Sequence, residues 1–157
     1  MIRKKLPIGI QTFRELREEG HYYVDKTPIA LKLIEEGKCY FLSRPRRFGK
    51  SLFLDTLKEL FEGHESLFKG LHAETRWNWA IKYPVIKLSF GSGVLRNRAE
   101  LDEQIAVILE ENQYRLGITC KHTGRLCFAE LIWRAHEATG QRVVVLVDEY
   151  DKPILDN

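Results

Sequence analysis

Apolar residues follow two different spacings along this chain, and each spacing recurs several times. Spacings of three to four positions predict helices, and they occur at 27–37, from about Lys50 onward, at 97–116 and at 123–139. Short runs of β-branched and aromatic residues predict strands, and they occur at 39–42, 83–90 and 143–147. Because helices and strands alternate in this way in parallel α/β proteins, we predict an α/β fold with a parallel sheet flanked by helices.

The predicted helices carry suitable residues at their ends. Thr27 is the expected N-cap of the first helix, with Pro28 at its first position, where a missing N–H does no harm. Gly37 ends that helix, and Gly117 and Gly140 are the expected stops of the two later helices, because glycine readily adopts the positive φ of a helix end.

The segment 44–51 reads Arg-Pro-Arg-Arg-Phe-Gly-Lys-Ser and joins the predicted strand 39–42 to the helix that begins near Lys50. In such a loop the backbone N–H groups, the positive end of the helix dipole and the Lys50 ammonium form a cradle for polyphosphate. The Ser51 hydroxyl is then placed to ligate Mg²⁺. We therefore predict a nucleoside triphosphate site. Its expected contacts are Arg46, Arg47, Phe48, Gly49, Lys50, Ser51 and Leu52.

The general form of this motif, G-x-x-x-x-G-K-[ST], has glycine where the chain has Arg44. Glycine permits a positive φ or a close approach to phosphate, and arginine is poor at both. Arg44, Arg46 and Arg47 also concentrate positive charge beside the predicted site. Two interpretations stay open for these arginines: they bind the triphosphate directly, or they form a solvated basic loop.

The run 143–149, Val-Val-Val-Leu-Val-Asp-Glu, predicts a parallel strand buried on both faces that ends in two carboxylates. The carboxyl ends of such strands open onto the crevice where ligands of open α/β sheets bind. In a magnesium-dependent NTPase, Asp148 would hold the metal's water shell and Glu149 would polarise the attacking water. The alternative is an apolar strand with an acidic exit turn.

Three stretches form one pattern when they are read in order. They are 22–27 (Tyr-Tyr-Val-Asp-Lys-Thr), 41–51 (Phe-Leu-Ser-Arg-Pro-Arg-Arg-Phe-Gly-Lys-Ser) and 147–153 (Val-Asp-Glu-Tyr-Asp-Lys-Pro). This combination resembles the AAA-ATPase-like family of bacterial predicted ATPases, whose loops are arginine-rich where other P-loop proteins have glycine. The resemblance implies ATP and Mg²⁺ as ligands.

The resemblance also implies roles for individual residues. Lys50 matches the phosphate lysine of the Walker A loop and Glu149 the catalytic glutamate, so both are predicted catalytic residues. Ser51 and Asp148, the latter in the position of the Walker B aspartate, are the predicted Mg²⁺ ligands. The segment around Asp25 and Lys26 either folds against the bound nucleotide or forms a helix-capping turn with solvated charges.

For topology, the resemblance implies a fourth strand between the Walker A and Walker B strands. Since the sequence stops at Asn157, we expect a P-loop NTPase-like sheet truncated after the Walker B strand. The whole of 1–157 is then the N-terminal part of one domain, with a lead-in and helix at 1–37 and the Walker A to Walker B core at 38–157. Unpaired strand edges predict self-association, or a complementary chain that supplies the missing strand and an arginine finger.

Composition adds few constraints. The chain has 25 basic and 22 acidic residues, a balance that gives no support for a nucleic-acid surface. No apolar run is long enough to span a bilayer, so no membrane partner and a cytoplasmic location are expected.

The three cysteines are an odd number without a close pair, which indicates reduced thiols. Cys39 is expected to pack in the first strand.

Two residue sets have weaker functional interpretations. Cys120, His122, Cys127 and His136 offer metal-binding groups, but their spacing matches no standard zinc site. Trp77 and Trp79 could stack on bases, although tryptophans just before a strand more often serve packing.

Three functions remain open from sequence alone. The first is a magnesium-dependent ATPase. The second is a non-catalytic module that binds nucleotide or protein and needs a partner chain to complete its site. The third is a nuclease with a metal site at Asp148, Glu149 and Asp151, which lacks the usual downstream Glu-x-Lys arrangement.

Overall fold

The computed structural model describes residues 4–45, 47–91 and 97–152. The chain divides into two compact units, Met1–Lys82 and Tyr83–Asn157. The described residues of the first unit form helices α1 (Phe13–Glu18), α2 (Thr27–Glu36) and α3 (Lys50–Phe61), followed by two short 3-10 helices, Glu65–Phe68 and His72–Thr75. Those of the second unit form β1 (Val85–Ser89), α4 (Arg98–Leu116), α5 (Gly124–Thr139) and β2 (Val144–Asp148). The observed architecture is α/β, with a small parallel sheet and flanking helices.

The first unit is built around a cluster of aromatic rings. Phe13 from α1 and Phe68 from the first 3-10 helix are fully buried, and their ring centroids lie 4.9 Å apart. Trp79 packs on Phe68 at 5.1 Å, and Trp77 meets Phe61 edge-on at 5.6 Å. Both tryptophans are therefore packing residues, as the more conservative interpretation predicted.

A buried carboxylate fixes α1 against α3. Asp55 of α3 accepts a hydrogen bond from the backbone N–H of Phe13 at 2.7 Å. One helical turn later, Glu59 accepts from Arg14 at 2.8 Å. Since the first N–H groups of a helix lack partners within it, Asp55 performs from a distance the role of a capping residue.

The N-terminus of α2 differs by one residue from the prediction. Thr27 is the first helical residue and Lys26 is the N-cap. The capping oxygens belong to Asp25, which accepts from the N–H of Thr27 at 2.8 Å, from its hydroxyl at 2.7 Å and from the N–H of His72 at 2.7 Å. Partial burial raises the pKa of Asp25, but these hydrogen bonds outweigh it and hold the pKa below its ordinary value.

The predicted strand at 39–42 is wrong. These residues have irregular backbone, and the described sheet contains β1 and β2, both from the second unit. A strand requires a neighbour to receive its backbone hydrogen bonds, and the described part of the first unit contains no other strand. Cys39 is exposed, so its predicted packing in a strand is wrong too.

In the second unit, β1 and β2 pair in parallel, with Val85 opposite Val144 and Ser89 opposite Asp148. A core of Ile86, Leu109, Cys127 and Leu131 joins β1 to α4 and α5. The predicted strand at 143–147 is confirmed, but its predicted burial on both faces is not. Val145 and Val147 are 38% and 42% exposed.

The edge of β1 that faces away from β2 is closed by side chains of α4. The amide of Asn112 accepts from the backbone N–H of Lys87 at 2.9 Å and donates to its C=O at 2.8 Å. Arg115 donates to the C=O of Val85. Asn112 is 4% exposed, so this amide takes the place of a neighbouring strand in a dry environment.

The ends of α4 and α5 agree with the predictions. The Asn97 side chain accepts from the backbone N–H of Glu100 at 3.0 Å and caps α4. Gly117 and Gly140 follow the two helices with φ of 65° and 66°. In the described part of the chain, none of the helices combines the length and the apolar content that a membrane span requires.

A single carboxylate organises the turn before α5. Glu130 accepts from the backbone N–H groups of Lys121 and His122, and from the side chains of Arg134 at 2.6 Å and His122 at 2.8 Å. The N–H of Lys121 contributes most to lowering the pKa of Glu130, which falls from an ordinary 4.5 to about 2 despite an opposing contribution from burial.

We expect Glu130→Gln to lower stability at pH 7 and the difference from wild type to shrink as the pH falls. A carboxylate with a lowered folded-state pKa stabilises fully above its unfolded value of 4.5, and this contribution is lost between there and about 2. Urea midpoints of both proteins at pH 7, 5, 4 and 3 check this. Glu103→Gln, at an exposed position on α4, is the matched control. A difference that stays constant with pH would contradict the prediction.

Candidate nucleotide-binding site

Two described residues of the loop before α3 have a positive φ. Gly49 occupies the N-cap position of α3 with φ 75°, and Lys50 is the first helical residue, as predicted. Arg47 also has a positive φ, 65°. Arg44 is not among the described residues with positive φ. The substitution of arginine for the usual glycine is therefore compatible with the loop, because the left-handed conformations fall elsewhere.

The ammonium of Lys50 closes this loop. Its Nζ donates to the backbone C=O of Arg44 at 2.6 Å and to that of Pro45 at 3.2 Å. The side chain thus turns back from the first turn of α3 across the segment that precedes it. A phosphate bound in the loop would offer this ammonium charged oxygens instead of neutral carbonyls, which adds the attraction between opposite charges to each hydrogen bond.

The other predicted contacts differ in exposure. Arg47 and Phe48 are exposed, with Phe48 at 62%, while Ser51 and Leu52 are half-buried on α3. Arg46 lies outside the described residues. Arg44 is exposed as well, and the exposure of Arg44 and Arg47 is compatible with both interpretations of the arginines.

A second lysine lies beside the loop. A Cβ placed on Gly49 would lie 3.6 Å from the Nζ of Lys26. Asp25, the preceding residue, is engaged as the capping group of α2. Asp25 therefore forms the predicted capping turn, while the Lys26 ammonium lies near Gly49. Sequence spacing gave no signal for this proximity, because Lys26 and Gly49 are far apart along the chain. That this segment folds against a bound nucleotide stays a prediction.

In the second unit, the acidic pair lies at the carboxyl ends of both strands. Asp148 ends β2, opposite Ser89 of β1. Glu149 follows with φ 52°, and its N–H donates to Asp148 Oδ1 at 3.0 Å. Among the described residues, Arg47 and Glu149 are the two non-glycine residues with positive φ. Such backbone conformations are costly and concentrate at functional sites.

Gly91 lies beside the Glu149 carboxylate, a neighbour that the sequence did not indicate. A Cβ on Gly91, just after β1, would lie 2.9 Å from Glu149 Oε2, so a side chain at position 91 would displace this carboxylate. Lys152 Nζ donates to the C=O of Gly91 at 2.9 Å. The turn at Gly91 was recognised from its glycines, but its contact with Glu149 follows from the parallel register.

Each half of the predicted site thus lies in its own unit. Lys50 and Ser51 stand at the start of α3 in the first unit, and Asp148 and Glu149 at the end of β2 in the second. That these four residues act on one ligand stays a prediction from sequence.

Comparison with known proteins identifies the family of the chain. The sequence model of the AAA-ATPase-like family, described as predicted AAA-ATPase, matches residues 7–157. The chain belongs to the AAA-ATPase-like family. The expected resemblance is thereby confirmed, and the match spans both the Lys50 loop and the Asp148-Glu149 pair.

One relative of this AAA-ATPase-like chain is an "uncharacterized protein in vnfD 5′ region" of Azotobacter chroococcum mcd 1. It is 62% identical over 159 residues, which cover 100% of this chain and 31% of the relative. The chain therefore spans about a third of the length of the curated relative it matches. No solved structure matches the chain.

Two other groups of residues in this AAA-ATPase-like chain carry side chains of the kind that bind metals. Ligand atoms of Glu59, Glu62 and His64 lie within 4.8 Å of one another. Lys58 pairs with both carboxylates, at 3.1 and 2.9 Å, and Arg14 also pairs with Glu59. These cations already balance the acidic charge, so the cluster is a salt-bridge network.

Among the described residues, Cys120, His122, Cys127 and His136 do not form a group of metal ligands. His122 Nδ1 bonds to Glu130 at 2.8 Å, and His136 Nδ1 bonds to the C=O of Gln141 at 2.8 Å. Cys120 Sγ lies 3.7 Å from the C=O of Cys127. Burial is the largest cause that raises the pKa of Cys120, the neighbouring Cys127 side chain is the next, and the pKa rises to about 11. A thiol so hard to ionise is a poor zinc ligand, because zinc binds the thiolate.

Proposed function

We propose that this chain forms a P-loop site that binds ATP with Mg²⁺ and hydrolyses the ATP. The observation that carries the proposal is the Lys50 ammonium, folded onto the C=O groups of Arg44 and Pro45 at the N-terminus of α3. A lysine over a loop at a helix N-terminus is the arrangement that binds polyphosphate in P-loop NTPases. Membership of a family of predicted AAA-ATPases supports the same assignment.

The donor set of the proposed metal site consists of hard oxygens. Ser51 offers a hydroxyl in the first turn of α3, and Asp148 offers a half-buried carboxylate at the end of β2. Mg²⁺ prefers such ligands and keeps part of its water shell, so these residues fit it. The ion, when bound, neutralises charge on the β- and γ-phosphates.

The chain's own residues then have separate tasks. Lys50 and the N–H groups at the start of α3 bind and orient the phosphates. Glu149 accepts a proton from the water that attacks the γ-phosphorus, with its backbone held against Asp148. Gly91 leaves room for the Glu149 carboxylate to keep that orientation.

We expect Lys50→Ala to weaken binding of Mg-ATP by about 10- to 100-fold. Loss of a charge-assisted hydrogen bond costs about 1.5–3 kcal/mol, and each 1.4 kcal/mol corresponds to a factor of ten. Calorimetric titration of both proteins, at one pH and salt concentration, measures the effect. Lys32→Ala removes an exposed lysine of α2 and is the matched control. Equal affinity in the variant, or no ATP binding by folded wild type, would refute the proposal.

A second candidate is a non-catalytic module that acts through a partner chain. The exposed Val145 and Val147 on β2 favour it, because apolar strand residues at a surface commonly mark a contact with another segment. ATP binding without hydrolysis by the chain alone, with hydrolysis restored by a longer family member, would support this candidate over the first.

A further inference from the structure

An apolar pocket opens beside the candidate phosphate loop, within the first unit. Its volume is about 260 Å³, and it is lined by the N-terminal Leu6 and Pro7, by the segment around Val24 and by the first turn of α3. Among the described lining residues, Lys26 carries the only charge. A ligand group that fills this pocket is therefore uncharged and largely apolar.

The pocket is continuous with the loop. Gly49 lines the pocket and is also the N-cap of α3, immediately before Lys50. Lys26 lines it too, and its Nζ would lie 3.6 Å from a Cβ on Gly49. A ligand that occupies both places has an uncharged part in the pocket and an anionic part on the loop.

The volume of the pocket and the exposure of its lining residues indicate which part of a nucleotide it suits. Pockets that enclose whole ligands usually measure about 300–1,000 Å³, so 260 Å³ suits only one part of a nucleotide. Leu6, Tyr22 and Val24 in the lining are 68%, 53% and 78% exposed. An aromatic ring bound there would cover this apolar surface, and stacking on tyrosine is a common way to hold a base.

We infer that this pocket binds the base of the nucleoside triphosphate, with Lys26 at the junction between the base and the phosphates. The inference rests on the proposed function, since the phosphates are assigned to the Lys50 loop. It gives the segment 22–27 a direct role in binding. Asp25 anchors that segment to α2 and to His72, which holds Val24 and Lys26 in place.

Val24→Asp tests the inference, with two probes. Because Val24 is 78% exposed, the substitution places a charge in the pocket wall without disturbing a core. The probes are Mg-ATP and Mg-tripolyphosphate, which carries the phosphate chain without a base. We expect at least about tenfold weaker binding of ATP and a change of less than about twofold for tripolyphosphate, whereas Lys50→Ala weakens both.

The controls separate the possible failures. Val107→Asp makes the same change at a 53% exposed valine of α4 and is expected to leave both affinities unchanged. Unchanged ATP affinity in Val24→Asp, or equal weakening of both probes, overturns the base pocket while the phosphate loop stands. Failure of wild type to bind either probe overturns the proposed function and the inference with it.

Photolabelling gives an independent readout. An azido-adenine analogue of ATP, bound to wild type and irradiated, is expected to label a peptide that contains residues 22–26, and excess ATP should prevent the labelling. Labelling confined to other peptides, with competition by ATP retained, would show that ATP binds with its base elsewhere.

Discussion

Glu149→Gln is expected to lower the rate of ATP hydrolysis by about 100-fold or more and to leave Mg-ATP affinity within about threefold. A positioned general base contributes about 10²–10⁴-fold, and glutamine cannot accept the proton of the attacking water. Glutamine has nearly the same size and shape, so it keeps the turn in which the N–H of residue 149 donates to Asp148 Oδ1. Steady-state phosphate release and calorimetric titration measure the two quantities.

The control for this experiment is Glu103→Gln, the same change at an exposed position on α4. It is expected to preserve both hydrolysis and binding. Hydrolysis by Glu149→Gln at the wild-type rate would remove Glu149 from the mechanism. A parallel loss of hydrolysis and affinity would mean that the carboxylate supports binding rather than proton transfer.

Phe68→Ala is expected to cost about 3–5 kcal/mol of stability. The Phe68 ring is fully buried, with the rings of Phe13 and Trp79 at 4.9 and 5.1 Å. Its removal leaves a cavity among aromatic groups that belong to separate rigid elements and cannot easily close it. Urea unfolding followed by tryptophan fluorescence reports the effect, since Trp79 contacts the substituted site.

Phe41→Ala is the comparison for that measurement. Phe41 is 70% exposed, so its truncation is expected to change stability by less than about 1 kcal/mol. If Phe68→Ala cost no more than Phe41→Ala, the aromatic cluster would not be the centre of the first unit.

Local patterns were sufficient to predict the two helices and the two strands of the second unit. The apolar spacing of 97–116 and 123–139, with Asn97, Gly117 and Gly140 at the ends, expresses interactions between residues only a few positions apart. The run that ends at Asp148 was equally clear, because its length and β-branched residues suit a strand.

The errors arose where structure depends on distant partners. The run 39–42 has strand-like composition, but composition does not supply the neighbour that a strand requires. The position of the Lys26 ammonium near Gly49 also depends on segments that are distant in sequence. For Asn112 a signal did exist, because it occupies an otherwise apolar stripe of α4 with Ile108 and Leu109. A lone amide at such a position indicates a buried hydrogen-bonding task.

The hydrogen bonds of the Asn112 amide determine at which edge the small sheet can accept another strand. Backbone groups of Val85 and Lys87 are already hydrogen-bonded to side chains of α4. The edge of β1 that faces away from β2 therefore cannot serve as a template for another strand. A strand that joins this sheet, from a longer chain or from a partner, is directed to the side of β2. If it runs parallel, its carboxyl end arrives beside Asp148 and Glu149. The same hydrogen bonds that protect β1 from aggregation thus determine which neighbour can contribute residues next to the acidic pair.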